Sequence, residues 1–216
     1  MRSNWMLAVL GVVVTMACGG GSPPPAEETA PAAEPAAKGT PEAAPQPPGT
    51  NPMVEMRTSL GTMKIELYPD KAPKTVENFL QYVRDGFYDG TVFHRVISGF
   101  MIQGGGFTPD MTEKETRAPI ENEASNGLKN VRGSIAMART PDPHSASSQF
   151  FINAVDNPML DFTAETMEGY GYAVFGQVVE GLETLDAIRK VATASRGGHD
   201  DVPMDPVVIE SVRVLN

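Results

Sequence analysis

From Met53 onward the chain alternates short apolar and polar runs, a pattern its first 52 residues lack. In "MVEMRTSLGTMKIELY" apolar residues alternate with polar ones on either side of "SLGT". That period of two predicts a β-hairpin with its turn near Gly61. The period then changes: after Pro73, a residue suited to a first helical turn, Val76, Phe79, Leu80 and Val83 fall at i, i+3, i+4 and i+7. Gly86 offers a stop to this amphipathic helix. The signals that follow are mostly short and β-like: "TVFHRVI", "FMIQGG", "SIAMAR", "QFFINAV", "YAVFGQVV" and "PVVIESVRVL". Between the last two, "LETLDAIRKV" puts Leu182, Leu185, Ile188 and Val191 on one helical stripe.

Many short strands with two helices and glycine-rich turns predict a mainly β protein, a closed antiparallel barrel, because closure removes exposed strand edges. A parallel α/β sheet is disfavoured, since helical segments do not alternate with strands. The polar stretch 108–132, "TPDMTEKETRAPIENEASNGLKNVR", reads as a long surface loop with a helical turn in it.

The first 52 residues have a different character. "MRSNWMLAVLGVVVTMAC" opens with Arg2, runs apolar from Trp5 to Val14 and leads to Cys18 through small or modest residues. The run is too short to span a membrane, which takes ~20 apolar residues, but has the length of a secretory core. Residues 1–17 are therefore expected to be a signal peptide. Cys18 is the only cysteine, so it can form no internal disulfide. The junction "TMAC" resembles the lipobox of bacterial lipoproteins, in which the cysteine becomes the lipidated N-terminus, although Thr15 stands where leucine is usual. Simple cleavage after Ala17 follows the same small-residue logic and would leave a soluble periplasmic protein. From Gly19 to Pro52 the chain holds ten of its nineteen prolines and no aromatic residue. Residues 18–52 are thus expected to form a disordered Pro/Ala-rich linker of polyproline character, roughly 100 Å long if fully extended.

Residues 53–216 suffice for one domain with a sizeable core. Two basic and four acidic residues precede Met53, which leaves the domain fifteen basic and twenty-three acidic residues and a net charge near −8. That sign, with no basic cluster, argues against a nucleic-acid partner.

Chemical candidates are few. Gly104, Gly105 and Gly106 lack the Lys-Ser/Thr of a phosphate loop and end a strand without opening a helix, so a close-packed turn is expected. His94, His144 and His199 stand far apart, with no cysteine partner and no His-Glu-x-x-His pair, so no metal site is expected. His94 lies between Phe93 and Arg95 in an apolar strand and reads as a hydrogen-bonded core histidine. No Gly-x-Ser-x-Gly motif marks a serine hydrolase. What remains is Arg95 near Phe100, Met101 and Gln103. In a regular strand Phe93, Arg95 and Ile97 would share one face, and an arginine among apolar groups needs a polar or anionic companion. A snorkelling arginine lying over the barrel wall is the alternative.

"FHRVISGFMIQGGGF", "GSIAMART", "SSQFFINAVDNPMLDF" and "GYAVFGQVVEGLETLDAI" resemble, in order and spacing, the cyclophilins, and most closely their bacterial exported branch. The resemblance covers residues 53–216. It implies an eight-stranded antiparallel β-barrel capped by two α-helices, and peptidyl-prolyl cis-trans isomerase activity on proline-containing polypeptides. It carries the catalytic role onto Arg95. Substrate contact falls on Phe100, Met101, Gln103, Ala138, Arg139, Gln149, Phe151, Met159, Leu160 and Tyr172. Three of these depart from the eukaryotic pattern: Met159 takes the place of a tryptophan, Tyr172 of a histidine and Arg139 of an asparagine. No metal or cofactor is implied. A monomer is expected, held to the membrane only through lipid on Cys18. An exported chaperone that holds proline-containing segments without turnover, or a structural envelope protein, are the competing readings. Arg95 and Gln103 favour the enzyme.

Overall fold

The computed structural model describes residues 51–215. The expected signal peptide, Cys18 and nearly all of the proline-rich linker lie outside them.

The first hairpin forms where the period of two placed it, from β1 (Met53–Thr58) and β2 (Gly61–Leu67). Val54 and Met56 on one strand and Met63, Ile65 and Leu67 on the other are fully buried. Helix α1 (Pro73–Arg84) has Pro73 in its first turn and buries Val76, Phe79, Leu80 and Val83. Its N-terminal amides would lack partners, as in any helix. Glu123, from the polar loop, supplies them: its carboxylate accepts from the backbone N–H of Lys74 at 3.1 Å and of Thr75 at 2.8 Å. The loop is thereby tied to the helix, and the expected helical turn within it is Ala124–Asn126.

Six further strands complete the barrel: β3 (Thr91–Ile97), β4 (Met101–Gly104), β5 (Ser134–Met137), β6 (Phe150–Asn153), β7 (Val174–Glu180) and, last in the chain, β10 (Val208–Leu215). Around the closed barrel the order is β1-β10-β3-β4-β6-β5-β7-β2, every pair antiparallel. The interior is a single apolar cluster built from alternate strand residues such as Ile65, Phe93, Ile102, Ile135, Phe150, Ile152 and Phe175. Phe79 of α1 packs edge-on to Phe150, and α2 (Leu182–Ile188) adds Leu185 and Ile188 to the same cluster. The helix ends before Val191, which packs against the core just beyond it.

Two features differ from the expectation. Strands β8 (Thr193–Arg196) and β9 (His199–Pro203) form a hairpin outside the barrel, with β9 packed along β3. Their sequence is mostly polar and carries no apolar period to announce them. The second difference is in β3, where Phe93, Arg95 and Ile97 do not share a face. Opposite β4, Phe93 pairs with Gly104 and Arg95 with Gln103, so His94 is one residue too many. Such a bulge reverses the alternation beyond it. Phe93 and Val96 therefore enter the barrel, whereas Arg95 points outward. His94 is buried, as expected of a core histidine, against Phe107 with ring centroids 4.6 Å apart, and its Nδ1 has no hydrogen-bond partner among the described residues.

Candidate active site

Because Ile102, Ile152 and Ile135 fill the barrel, their strand neighbours must face out. Met101 and Gln103 on β4, Phe151 on β6 and Ala136 on β5 do so, and the register puts Gln103 opposite Phe151 and Phe151 opposite Ala136. On this outer face Met101, Ala136, Phe151 and Val174 form a second apolar cluster, joined by Ile97, Phe100, Ala138, Leu160 and Tyr172. Its centre is an open pocket of about 100 Å³ lined by Arg95, Phe100, Met101, Gln103, Ala138, Arg139, Phe151, Leu160 and Tyr172. The floor is apolar. Arg95 and Gln103, cross-strand neighbours, bring the polar atoms to one side of it.

Buried asparagines hold two of the walls. Asn157 Nδ2 donates to the Phe100 carbonyl at 2.9 Å and to Asn153 Oδ1 at 2.7 Å. Asn153 Nδ2 donates to Ser134 Oγ at 2.9 Å and to Asn130 Oδ1 at 3.2 Å, and Asn130 Nδ2 donates to the Leu160 carbonyl at 3.0 Å. The chain Phe100–Asn157–Asn153–Asn130–Leu160 thus links two pocket-lining residues through buried asparagines, which makes the arrangement rigid. Nothing in the sequence shows that these three asparagines meet.

The strand-ending glycines pack closely, as expected of a tight turn. Gly105 has φ +83°, and a Cβ there would meet the rings of Phe150 and Tyr88 within 2.9 Å.

A model of the family described as "Cyclophilin type peptidyl-prolyl cis-trans isomerase/CLD" matches residues 53–214. The chain belongs to this family. It is a cyclophilin-type peptidyl-prolyl cis-trans isomerase, as are the relatives it resembles. Peptidyl-prolyl cis-trans isomerase cyp18 of Streptomyces antibioticus is 63% identical over 162 residues, covering 75% of this chain and 98% of the relative. Peptidyl-prolyl cis-trans isomerase B of Escherichia coli is 58% identical over 162 residues, covering 75% and 99%. Among solved structures, a Cryptosporidium parvum cyclophilin determined in the presence of the dipeptide Ala-Pro superposes with TM-score 0.65 at 30% identity, covering 76% of this chain and 99% of that one.

Within this cyclophilin the pocket gathers nine of the residues singled out in the sequence. Gln149 stands behind them: its Oε1 accepts a hydrogen bond from Gln103 Nε2 at 3.0 Å. Met159 is not among the lining residues: it precedes Leu160 on the turn Pro158–Leu160 with 72% of its surface exposed. Arg139 borders the pocket, but its guanidinium donates to the carbonyls of Gly171 (2.9 Å), Thr140 (2.9 Å), Pro141 (3.2 Å) and Met167 (3.3 Å) and lies over the Tyr172 ring. That guanidinium ties down the 161–171 segment and backs Tyr172.

Proposed function

We propose that Arg95 is the catalytic group of this isomerase and that the outer pocket grips the proline of an X-Pro segment. The observation that carries this reading is the pairing of Arg95 with Gln103 beside the apolar floor made by Phe100, Met101, Phe151 and Leu160. Rotation about an X-Pro bond must break amide resonance, a barrier of ~18–20 kcal/mol. In the twisted transition state the proline nitrogen regains a lone pair. A guanidinium beside it donates a hydrogen bond that the planar ground state hardly accepts, and this difference lowers the barrier. Phe151, Met101 and Leu160 hold the ring away from water, and Gln103 contacts the peptide carbonyl and backbone. The Ala-Pro dipeptide present with the Cryptosporidium parvum relative supports a proline-containing peptide as the occupant.

The deciding experiment is NMR exchange on a short Ala-Pro peptide with the Arg95→Ala protein. Its kcat/KM should fall by about two orders of magnitude, about 2.7 kcal/mol, as for removal of a preorganised donor. Arg95→Lys should recover little, because a compact ammonium cannot replace the planar fork. Near-normal turnover in folded Arg95→Ala protein overturns the assignment.

The cellular reading rests on residues 1–52. Residues 1–17 direct export, Cys18 carries the lipid, residues 18–52 act as a spacer, and residues 53–216 isomerise X-Pro bonds in exported proteins as they fold. Gly19, not an acidic residue, follows the cysteine, which favours the periplasmic face of the outer membrane in a host with two membranes. Stable anchoring takes more than one acyl chain. Cys18→Ala should release the protein from the membrane fraction; a variant still membrane-bound refutes the anchor.

A further inference from the structure

The barrel closes without the β8–β9 hairpin, which nevertheless packs along β3, the strand that carries Arg95. The hairpin brings one carboxylate to that arginine. Asp201 Oδ2 lies 3.9 Å from Arg95 Nε, and both side chains are half-exposed. The carboxylate's nearest approach is to Nε and not to the two terminal nitrogens, and Arg95 is itself a residue that lines the pocket.

The backbone at Asp201 is unusual. Its φ is +59°, one of two positive values at non-glycine residues among the described ones, inside a strand that is otherwise extended. L-residues disfavour this region, although aspartate and asparagine tolerate it better than most. Such an outlier persists only where its surroundings impose it. Here the next two residues, Val202 and Pro203, are buried, which fixes the strand while Asp201 stays at the surface beside Arg95.

Arg95 faces this carboxylate because of the His94 bulge, which turns it out of the barrel. Asp200, beside Asp201 on the hairpin, accepts a hydrogen bond from Ser195, while Arg196 lies opposite His199. His94 is buried and held neutral, with a pKa lowered to about 4 by burial, then by His199 and Arg95. A long guanidinium side chain without a partner would divide its time among rotamers, and catalysis by a donor depends on its being in place before the peptide twists.

We propose that Asp201 is a positioning residue, whose carboxylate holds the Arg95 guanidinium at the pocket by its Nε. This rests on Arg95 being the catalytic group. A half-exposed ion pair contributes little to folding, so its effect belongs in turnover and not in stability.

The test compares full-length wild type with Asp201→Asn, Asp201→Gly, Asp200→Asn and Arg95→Ala, measuring kcat and KM separately by NMR exchange on an Ala-Pro peptide. Melting temperature and the order parameter of the Arg95 Nε–Hε group, assigned by its loss in Arg95→Lys, are recorded alongside. Asp201→Asn keeps a side chain that tolerates the positive φ, and Asp201→Gly relaxes it; both remove the charge. Each should lower kcat by about three- to fivefold with KM and melting temperature unchanged, the range of a surface ion pair expressed as a rate. In Asp201→Asn the Arg95 order parameter should fall. Asp200→Asn, on the same hairpin but bonded to Ser195, should match wild type. Wild-type kcat in Asp201→Asn overturns the proposal. So does a loss confined to one of the two Asp201 variants, or a loss shared by Asp200→Asn and accompanied by a lower melting temperature. If Arg95→Ala is inactive while Asp201→Asn is normal, only the positioning role fails. If Arg95→Ala is itself active, the catalytic assignment fails with it.

Discussion

Gln103 Nε2 donates to Gln149 Oε1 at 3.0 Å, and Gln149 in turn lies against the bare Cα of Gly106. A Cβ on Gly106 would fall 2.6 Å from Gln149 Cγ and 2.8 Å from its Cδ and Nε2. The glycine therefore makes room for the side chain that orients Gln103. Gly106→Ala should displace Gln149 and lower kcat/KM by about five- to tenfold, the loss of one hydrogen bond of about 1 kcal/mol. Gln149→Ala should give a similar loss, and the double variant no more than either, since both act on one contact. Additive losses in peptide isomerisation would show that the two do not act through Gln103.

The asparagine chain predicts a coupled defect in stability and binding. Asn157→Ala removes the donors to the Phe100 carbonyl and to Asn153 Oδ1, and the latter is left buried and unpaired. That costs about 2 kcal/mol, about 4–8 °C in melting temperature for a domain of this size. Phe100 and Leu160 lose their common brace, so KM should rise while kcat changes less. A melting temperature equal to wild type would mean that water replaces the amide.

Met159, exposed beside the pocket residue Leu160, offers adaptable apolar contact and no hydrogen-bond donor. Cyclosporin, the inhibitor associated with the family, should bind more weakly here than to members with tryptophan at this place. Met159→Trp should restore about tenfold in affinity by calorimetry, the contribution of one indole N–H bond with its ring contact. The position is exposed, so stability should be unaffected. Unchanged affinity would place the determinant elsewhere.

What the sequence conveyed depended on whether periodicity carried the information. The β1–β2 hairpin and α1 were legible because Val54, Met56, Met63 and Ile65 alternate, and Val76, Phe79, Leu80 and Val83 repeat at helical spacing. The pocket residues were legible from the family's blocks of sequence. The facing of β3, with Phe93, Arg95 and Ile97 expected on one side, was misread because a bulge leaves no mark on composition yet reverses every face beyond it. The β8–β9 hairpin escaped because residues 193–196 are all exposed and carry no apolar alternation, and with it went Asp201. Asn130 and Asn157 stand in polar connecting stretches and Asn153 at the end of an apolar strand, and only the tertiary fold brings the three together and buries them.

His94 makes the fold sensitive to mild acid. Its pKa is lowered from 6.5 to about 4, chiefly by burial and secondly by the neighbouring His199 and Arg95. Between these two values the unfolded chain binds a proton that the native protein refuses, so stability rises with pH across that window. The contribution is complete above about pH 6.5 and is lost as the pH falls toward 4. At 1.36 kcal/mol per pH unit the full loss approaches roughly 3 kcal/mol. Asp89 and Asp186, whose pKa values are lowered by Arg213 and by Arg132 and Arg189, weaken the fold only below the ordinary carboxylate range, so the two effects separate. Urea unfolding of wild type should lose about 2 kcal/mol between pH 6.5 and 4.5. His94→Gln, which cannot titrate, should show a flatter profile whatever its stability at neutral pH. Parallel profiles for the two proteins would mean that some other group governs the acid response.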